Sequence, residues 1–284
     1  MSSFELTYAT MFDPPQELHT RFEAALQDVR SRLGKTRGMI IQGEDVLTEN
    51  KLEVKNPARA EQVLALFPRG TAEHADRAVR AAREAFPAWQ ATSWQQRIAL
   101  VRKAAEIIDR RIFEMAAVTT LEVGKNRLEA LGDVAEAPAL MRYAADQMES
   151  NDGFVTRMGE DPLQDYRASN YSLLRPYGVW LVISPFNFPA ALTGGPVGAA
   201  LMAGNTVVMK PATTTPWTVR LLAESFQEAG FPPGVVNYVT GSGSVLGQAL
   251  IEHPEVDGVT FTGSYDVGMS VYRQFAQRDY VHPV

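Results

Sequence analysis

Residues 176–209 carry no charged side chain, and Lys210 closes the stretch. This constrains the fold more than any other feature of the chain, because a run of that length can cross a bilayer. Yet Pro185, Pro189 and Pro196, several glycines, and Asn187 and Asn205 interrupt it. In lipid such residues leave backbone groups without partners. The stretch reads instead as strand, loop, helix and strand buried in a water-soluble core, with an amide and a lysine at strand ends. Polar groups set in an apolar background are candidates for chemistry.

Downstream the pattern repeats. Strands are predicted over 178–184, 206–209, 235–239 and 256–261, and helices over 189–202, 216–229, 244–252 and 265–276. Continuous apolar strands alternating with amphipathic helices predict a parallel sheet covered on both faces. Upstream, Leu18, Phe22, Ala25, Leu26, Val29 and Leu33 recur near a 3.6-residue period and predict a helix. A small hairpin is expected within 39–54, turning at Gly43-Glu44-Asp45, before Asn56-Pro57-Ala58 breaks the pattern. Helices follow over 71–90, 93–123 and 127–148, with Ser93 and Gln96 spaced as a capping box. Residues 151–162 read as loop, and 165–175 alternate loosely enough to form extended strands.

The expected class is therefore α/β: a Rossmann-like parallel sheet with helices on both faces, preceded by a helical N-terminal region and a short β arm. The expected division is 1–160 for the helical part, 161–176 for the arm and 177–284 for the dinucleotide-binding part. Such an arm can pair with another subunit; an ordinary surface hairpin is its commoner use.

The chain has 284 residues and a net charge of -6, with no long basic run. That argues against nucleic acid or an anionic membrane as partner. It contains no cysteine, which excludes disulfides, zinc-thiolate sites and cysteine nucleophiles within these residues. His19, His74, His253 and His282 stand alone without metal-ligand spacing, so no metal is expected. Glu44-Asp45 and Glu160-Asp161 read as solvated turns. No positive segment followed by an apolar one opens the sequence, and a cytoplasmic location is expected.

In open parallel sheets ligands bind beyond the carboxyl ends of the strands. Four such ends matter. In Ser184-Pro185-Phe186-Asn187-Phe188-Pro189, two prolines stiffen the backbone around Asn187. An amide N–H held in an apolar pocket can stabilise an oxyanion on a carbonyl substrate; capping a turn is the competing role. In Lys210-Pro211-Ala212, proline stops the strand and aims the ammonium at the crevice, unless the lysine merely follows an edge strand into solvent. Gly241-Ser242-Gly243-Ser244-Val245-Leu246-Gly247 nearly matches the dinucleotide fingerprint, with one residue too many before its last glycine. In Phe261-Thr262-Gly263-Ser264, followed by Gly268, a serine opens a helix whose free N–H groups favour phosphate, or simply caps it.

Taken in order, these segments resemble the aldehyde dehydrogenase superfamily. The resemblance rests on 184–189, on Gly204-Asn205-Thr206-Val207-Val208-Met209-Lys210-Pro211-Ala212, on Gly230-Phe231-Pro232-Pro233-Gly234-Val235-Val236-Asn237 and on 261–264. Tyr8-Ala9-Thr10, Glu122-Val123-Gly124-Lys125-Asn126, Asp133-Val134-Ala135-Glu136-Ala137 and Ser264-Tyr265-Asp266-Val267-Gly268 look like the bacterial 1-pyrroline-5-carboxylate dehydrogenases. Those enzymes oxidise L-glutamate γ-semialdehyde to glutamate in proline and arginine breakdown.

The resemblance implies roles. Asn187 donates to the oxyanion, and Phe186 packs beside the aliphatic part of the aldehyde. Lys210 holds the adenine ribose, while Ser184 and Pro185 lie along the cofactor. Ala212, Gly243 and Gly247 border the adenine end, and Gly263, Ser264 and Gly268 belong to the pyrophosphate side. Thr213 stands where most members carry a glutamate that grips the ribose hydroxyls, which leaves both NAD and NADP open. The family's general-base glutamate and nucleophilic cysteine are expected beyond residue 284, with the catalytic domain. The resemblance therefore implies that this chain alone does not turn over aldehyde, and that its full-length relative is a homo-oligomer. The alternative is a noncatalytic dinucleotide-binding or subunit-interacting fragment.

Overall fold

The computed structural model describes residues 13–159 and 168–284, so Tyr8-Ala9-Thr10, Glu160-Asp161 and the first part of the expected arm lie outside the described residues. Helix α1 (Gln16–Ser31) buries Leu18, Phe22, Leu26 and Val29, the stripe its period sets up. Strands β1 (Met39–Ile41) and β2 (Glu44–Val46) then form an antiparallel hairpin. Its turn residues are Gln42 and Gly43, both at positive φ, 55° and 82°, as a two-residue hairpin demands. Glu44 and Asp45 thus belong to the second strand.

The first third is less helical than expected. Strands β3 (Lys51–Asn56) and β4 (Arg59–Pro68) make a second hairpin, and the break at 56–58 is its turn. Asn56 closes that turn by accepting the Ala58 N–H at 2.9 Å.

Helices α2 (Ala72–Ala91), α3 (Trp94–Arg110), α4 (Ile112–Val123) and α5 (Arg127–Ser150) follow. Ser93 caps α3 by accepting the Gln96 N–H at 3.3 Å. The single helix expected over 93–123 is two helices, parted at Arg111 (φ -95°, ψ 10°). There the guanidinium is drawn to Glu114 and Glu224, at 2.9 and 3.0 Å. Strands β5 (Val155–Arg157) and β6 (Tyr171–Leu173) pair antiparallel with every residue exposed. The arm therefore begins upstream of residue 161, in a segment expected to be loop.

The remainder alternates: β7 (Val179–Ile183), α6 (Ala191–Ala203), β8 (Thr206–Lys210), α7 (Pro216–Ala229) and β9 (Val236–Tyr238). A π-helical turn over Gly243–Gly247 leads into α8 (Gln248–Glu252), then β10 (Gly258–Phe261) and α9 (Tyr265–Ala276). The main sheet has the order β10-β7-β8-β9-β1-β2. Its first four strands are parallel, and β1 joins β9 antiparallel where Ile40 faces Tyr238.

Alternate residues of these strands feed two cores. Val182, Val207, Met209 and Val236 pack with the side of the sheet that carries α6 and α7. Val179, Leu181, Val208 and Val259 pack with residues of α2, α8 and α9 on the other face. The uncharged stretch is thus β7, a loop, α6 and β8, and among the described residues no helix is long and apolar enough to cross a membrane.

Candidate functional site

Strand β7 lies between β10 and β8, so the connections from neighbouring strands diverge and leave a crevice at the carboxyl edge. A cleft of about 970 Å³ opens there. It gathers the ends of all four parallel-strand units: Ser184, Pro185, Phe186 and Asn187 after β7, Lys210, Ala212 and Thr213 after β8. Gly243 and Gly247 enter from the π-helical turn, and Gly263 and Ser264 from the start of α9. Residues far apart in sequence therefore share one wall.

Lys210 ends β8 in the middle of the sheet and is only 5% exposed, which overturns the solvated-lysine alternative. Its Nζ donates to the Pro211 carbonyl at 3.1 Å. Burial alone lowers its pKa to about 8. Beside it runs Gly247, where a Cβ would approach Lys210 Cε to 3.2 Å. Ser184 is buried, and among the described residues its Oγ has no hydrogen-bond partner. A buried hydroxyl left unpaired in a cleft wall is a group that a ligand can satisfy.

Helix α9 points its N-terminus into the same cleft, with Ser264 at the cap making no side-chain cap bond. Its first amides are thus free for an anion. At the fingerprint-like segment, Ser242 caps the π-helical turn through the Val245 N–H at 3.2 Å. Gly243 has open space in place of a side chain, so no crowding forces a glycine there.

Two expectations need correction. Asn187 was expected inside an apolar pocket, but it is exposed at the cleft, with Phe186, 59% exposed, beside it; Phe188, 39% exposed, lies outside the cleft lining. Gly268 does not line the cleft; it faces the Phe261 ring, where a Cβ would come to 3.2 Å. Gly263 meets the same ring, at 2.6 Å for a Cβ. Both glycines make room for Phe261.

The structure also adds residues that strand-end reasoning missed. Gln248, Asp266 and Ser270 line the cleft from helix surfaces. Behind it, Asp133 on α5 accepts the Ala191 N–H at 2.9 Å and so caps α6 immediately after the Asn187 loop. Lys125 stands 3.7 Å from Asp133 and 3.3 Å above the Phe188 ring centroid. Burial pushes the Asp133 carboxyl up and the Lys125 ammonium down. Glu122, at the end of α4, caps α7 by accepting the N–H groups of Trp217 and Thr218 at 2.7 and 2.8 Å. Its burial raises its pKa to about 7. For Asp133 and Glu122 the available signal was a carboxylate on an otherwise buried helix face; Lys125, in the loop between α4 and α5, carried no such signal.

Residues 45–283 match the aldehyde dehydrogenase family. The chain is 42% identical over 259 residues to a 1-pyrroline-5-carboxylate dehydrogenase of Geobacillus thermodenitrificans, covering 90% of this chain and 49% of the relative. Among solved structures, a Thermus 1-pyrroline-5-carboxylate dehydrogenase with bound NAD superposes with a TM-score of 0.90 at 31% identity, over all of this chain and 54% of that one. Proline utilization A of Bdellovibrio bacteriovorus, inactivated by N-propargylglycine, gives 0.88 at 32% identity, over 95% of this chain and 28% of that one. The chain spans about half the length of the curated relatives it matches.

Proposed function

The chain belongs to the aldehyde dehydrogenase family, and from that premise we propose that it forms the cofactor-binding part of an NAD(P)-dependent oxidoreductase acting on L-glutamate γ-semialdehyde. The observation that carries this reading is the convergence of Asn187, Lys210 and the open N-terminus of α9 on one cleft. The cleft fits a dinucleotide in three respects: its volume, the unpaired Ser184 Oγ on its wall and the free amides at α9.

In this reading Lys210 and Thr213 bind the adenosine ribose, and Gly243 and Gly247 flank the adenine end. The α9 amides and Ser264 take the pyrophosphate. Ser184 and Pro185 direct the nicotinamide end toward Asn187. When bound, the nicotinamide accepts a hydride. The side-chain N–H of Asn187 donates to the oxygen of the aldehyde carbon as negative charge develops there, with Phe186 against the aliphatic chain. The exposed pair β5–β6 is the segment that engages a second subunit. The substrate assignment is supported by the names of the relatives, whose activity belongs to chains about twice this length.

Calorimetric titration of this chain with NAD is the first test, and absence of heat at millimolar nucleotide counts against the cofactor reading. On the whole polypeptide that carries this sequence, turnover of glutamate γ-semialdehyde is expected to exceed that of succinate semialdehyde. The reverse order reassigns the substrate. There Asn187→Ala should lower turnover about a hundredfold or more with little loss of cofactor affinity; equal losses in both would refute the oxyanion role.

A further inference from the structure

We propose that Lys210 is a covalent capture site for small aldehydes bearing an anionic group, which condense with its amine to an imine on the wall of the nucleotide cleft. The capture stands apart from the dinucleotide reading of that cleft; the competition between aldehyde and nucleotide that follows from it rests on that reading. In the step, the ammonium first gives a proton to solvent, and the free Nζ lone pair attacks the aldehyde carbon. The carbonyl oxygen leaves as water, taking up the two remaining amine protons. One C=N bond replaces one C=O bond, so no oxidant or reductant is needed.

The lysines of the chain are Lys35, Lys51, Lys55, Lys103, Lys125 and Lys210, and their surroundings differ. The first four are exposed, where water stabilises an ammonium over a neutral imine. Lys125 is largely buried, but Asp133 stands 3.7 Å from its Nζ and favours the charged form, and it lies outside the cleft lining. Lys210 is 5% exposed and lines the cleft; its Nζ donates to a neutral acceptor, the Pro211 carbonyl at 3.1 Å. Burial alone lowers its pKa to about 8, and Asp266, the acidic residue of the cleft lining, adds nothing to the shift. About a tenth of the amine is therefore free base at pH 7. Imine formation discharges a buried ammonium that has no counter-ion, so the burial that penalises the ammonium favours the product. Gly247 leaves room for the stem, since a Cβ there would come to 3.2 Å from Lys210 Cε. Partners for the anionic group line the same cleft. They are the uncapped amides at the start of α9 and the Ser184 Oγ, on a residue 3% exposed and without a bond among the described residues.

The test treats the folded 284-residue chain at pH 7 with pyridoxal 5′-phosphate, an aldehyde that carries a phosphate. Borohydride then reduces the imine to a stable secondary amine, and peptide mass mapping locates it. Lys210 should be labelled about tenfold more than Lys35 or Lys103. In the urea-unfolded chain that preference should vanish, because burial no longer separates the lysines. Pyridoxal, which lacks the phosphate, should label Lys210 several-fold less. Lys210→Arg keeps the charge but forms no imine, and should lose most of the parent's imine absorption. If that variant does not fold, the site map of the parent decides alone. Labelling of Lys210 no greater than that of Lys103, or unchanged by unfolding, overturns the proposal, and equal labelling by pyridoxal overturns its anionic requirement. Millimolar NAD should slow the labelling several-fold. A Lys210 adduct that NAD leaves untouched upholds the capture and counts against the dinucleotide reading, whereas calorimetric binding of NAD without a Lys210 adduct overturns the capture alone.

Discussion

The stem of Lys210 occupies the space that a side chain at Gly247 would need: a Cβ there comes to 3.2 Å from Lys210 Cε and 3.6 Å from its Cδ. That contact is tight but falls on a flexible side chain, so the lysine can yield by moving into the cleft. Gly247→Ala should therefore alter stability by about 1 kcal/mol or less, since alanine also suits the helical turn better than glycine. Nucleotide affinity should fall several-fold. Titration paired with urea unfolding separates the two effects, and an unchanged dissociation constant would show that the lysine is not displaced.

Gly178 makes the opposite case, because its backbone sits at a φ that favours glycine and the side chains around it are held by other bonds. It sits at φ 144° just before β7, and a Cβ would lie 2.0 Å from Asp257 Oδ2. That carboxylate accepts the Val179 N–H at 2.7 Å and pairs with Arg83 at 2.5 Å, tying β7 to α2 and to the entry of β10. Gly178→Ala should cost about 2 kcal/mol or more. A urea midpoint equal to that of the parent would contradict the strain argument.

Much of this was legible in the sequence because its causes are local. The boundaries of α7 follow from Pro216 at its first position and Gly230 at its end, with φ 96°. The four parallel strands stand out as apolar runs, and the cleft follows from their ends. What the sequence concealed depends on partners distant along the chain. Met39–Ile41 is a short apolar segment whose place in the main sheet is set by Ile40 meeting Tyr238. Arg59–Pro68 begins polar and ends buried, a pattern that fits no single period until Lys51–Asn56 pairs with it. At the site, the residues of the strand-end loops could be named, but the exposure of Asn187 could not. Lys125 and Asp133 were hidden for a similar reason. Their partners, Phe188 and Ala191, lie more than fifty residues downstream, beyond any helical period.

Glu122 predicts a pH dependence. Its folded pKa rises from 4.5 to about 7, with burial outweighing the helix N–H groups it accepts. A raised folded value means that the folded state holds the proton more strongly than the unfolded one. The contribution to stability is complete below pH 4.5 and is lost as pH rises through 7, on the order of 3 kcal/mol. Glu122→Gln cannot ionise, so its stability should vary less across that window than the parent's. Urea midpoints measured from pH 4.5 to 8 for both proteins give the difference; parallel curves would mean that Glu122 keeps an ordinary pKa.

The pair Lys125–Asp133 predicts non-additivity. Asp133 is fully buried at its side chain and Lys125 only 10% exposed, so neither charge has much water to fall back on. Asp133 also holds the first N–H of α6, and Lys125 rests on Phe188, next to Asn187. Asp133→Ala removes both the helix cap and the counter-charge, and should cost about 3–5 kcal/mol. Lys125→Met leaves Asp133 its backbone partner and should cost less. In the double variant no charge is stranded, so its cost should fall short of the sum by about 1–3 kcal/mol. Urea unfolding of the four proteins closes the cycle. Hydrogen exchange across 184–191 should quicken in both single variants, because the loop carrying Asn187 is held at one end by Asp133 and at its centre by Phe188. Additive costs together with unchanged exchange in that loop would mean that the two residues act separately and that Asn187 is positioned by the prolines alone.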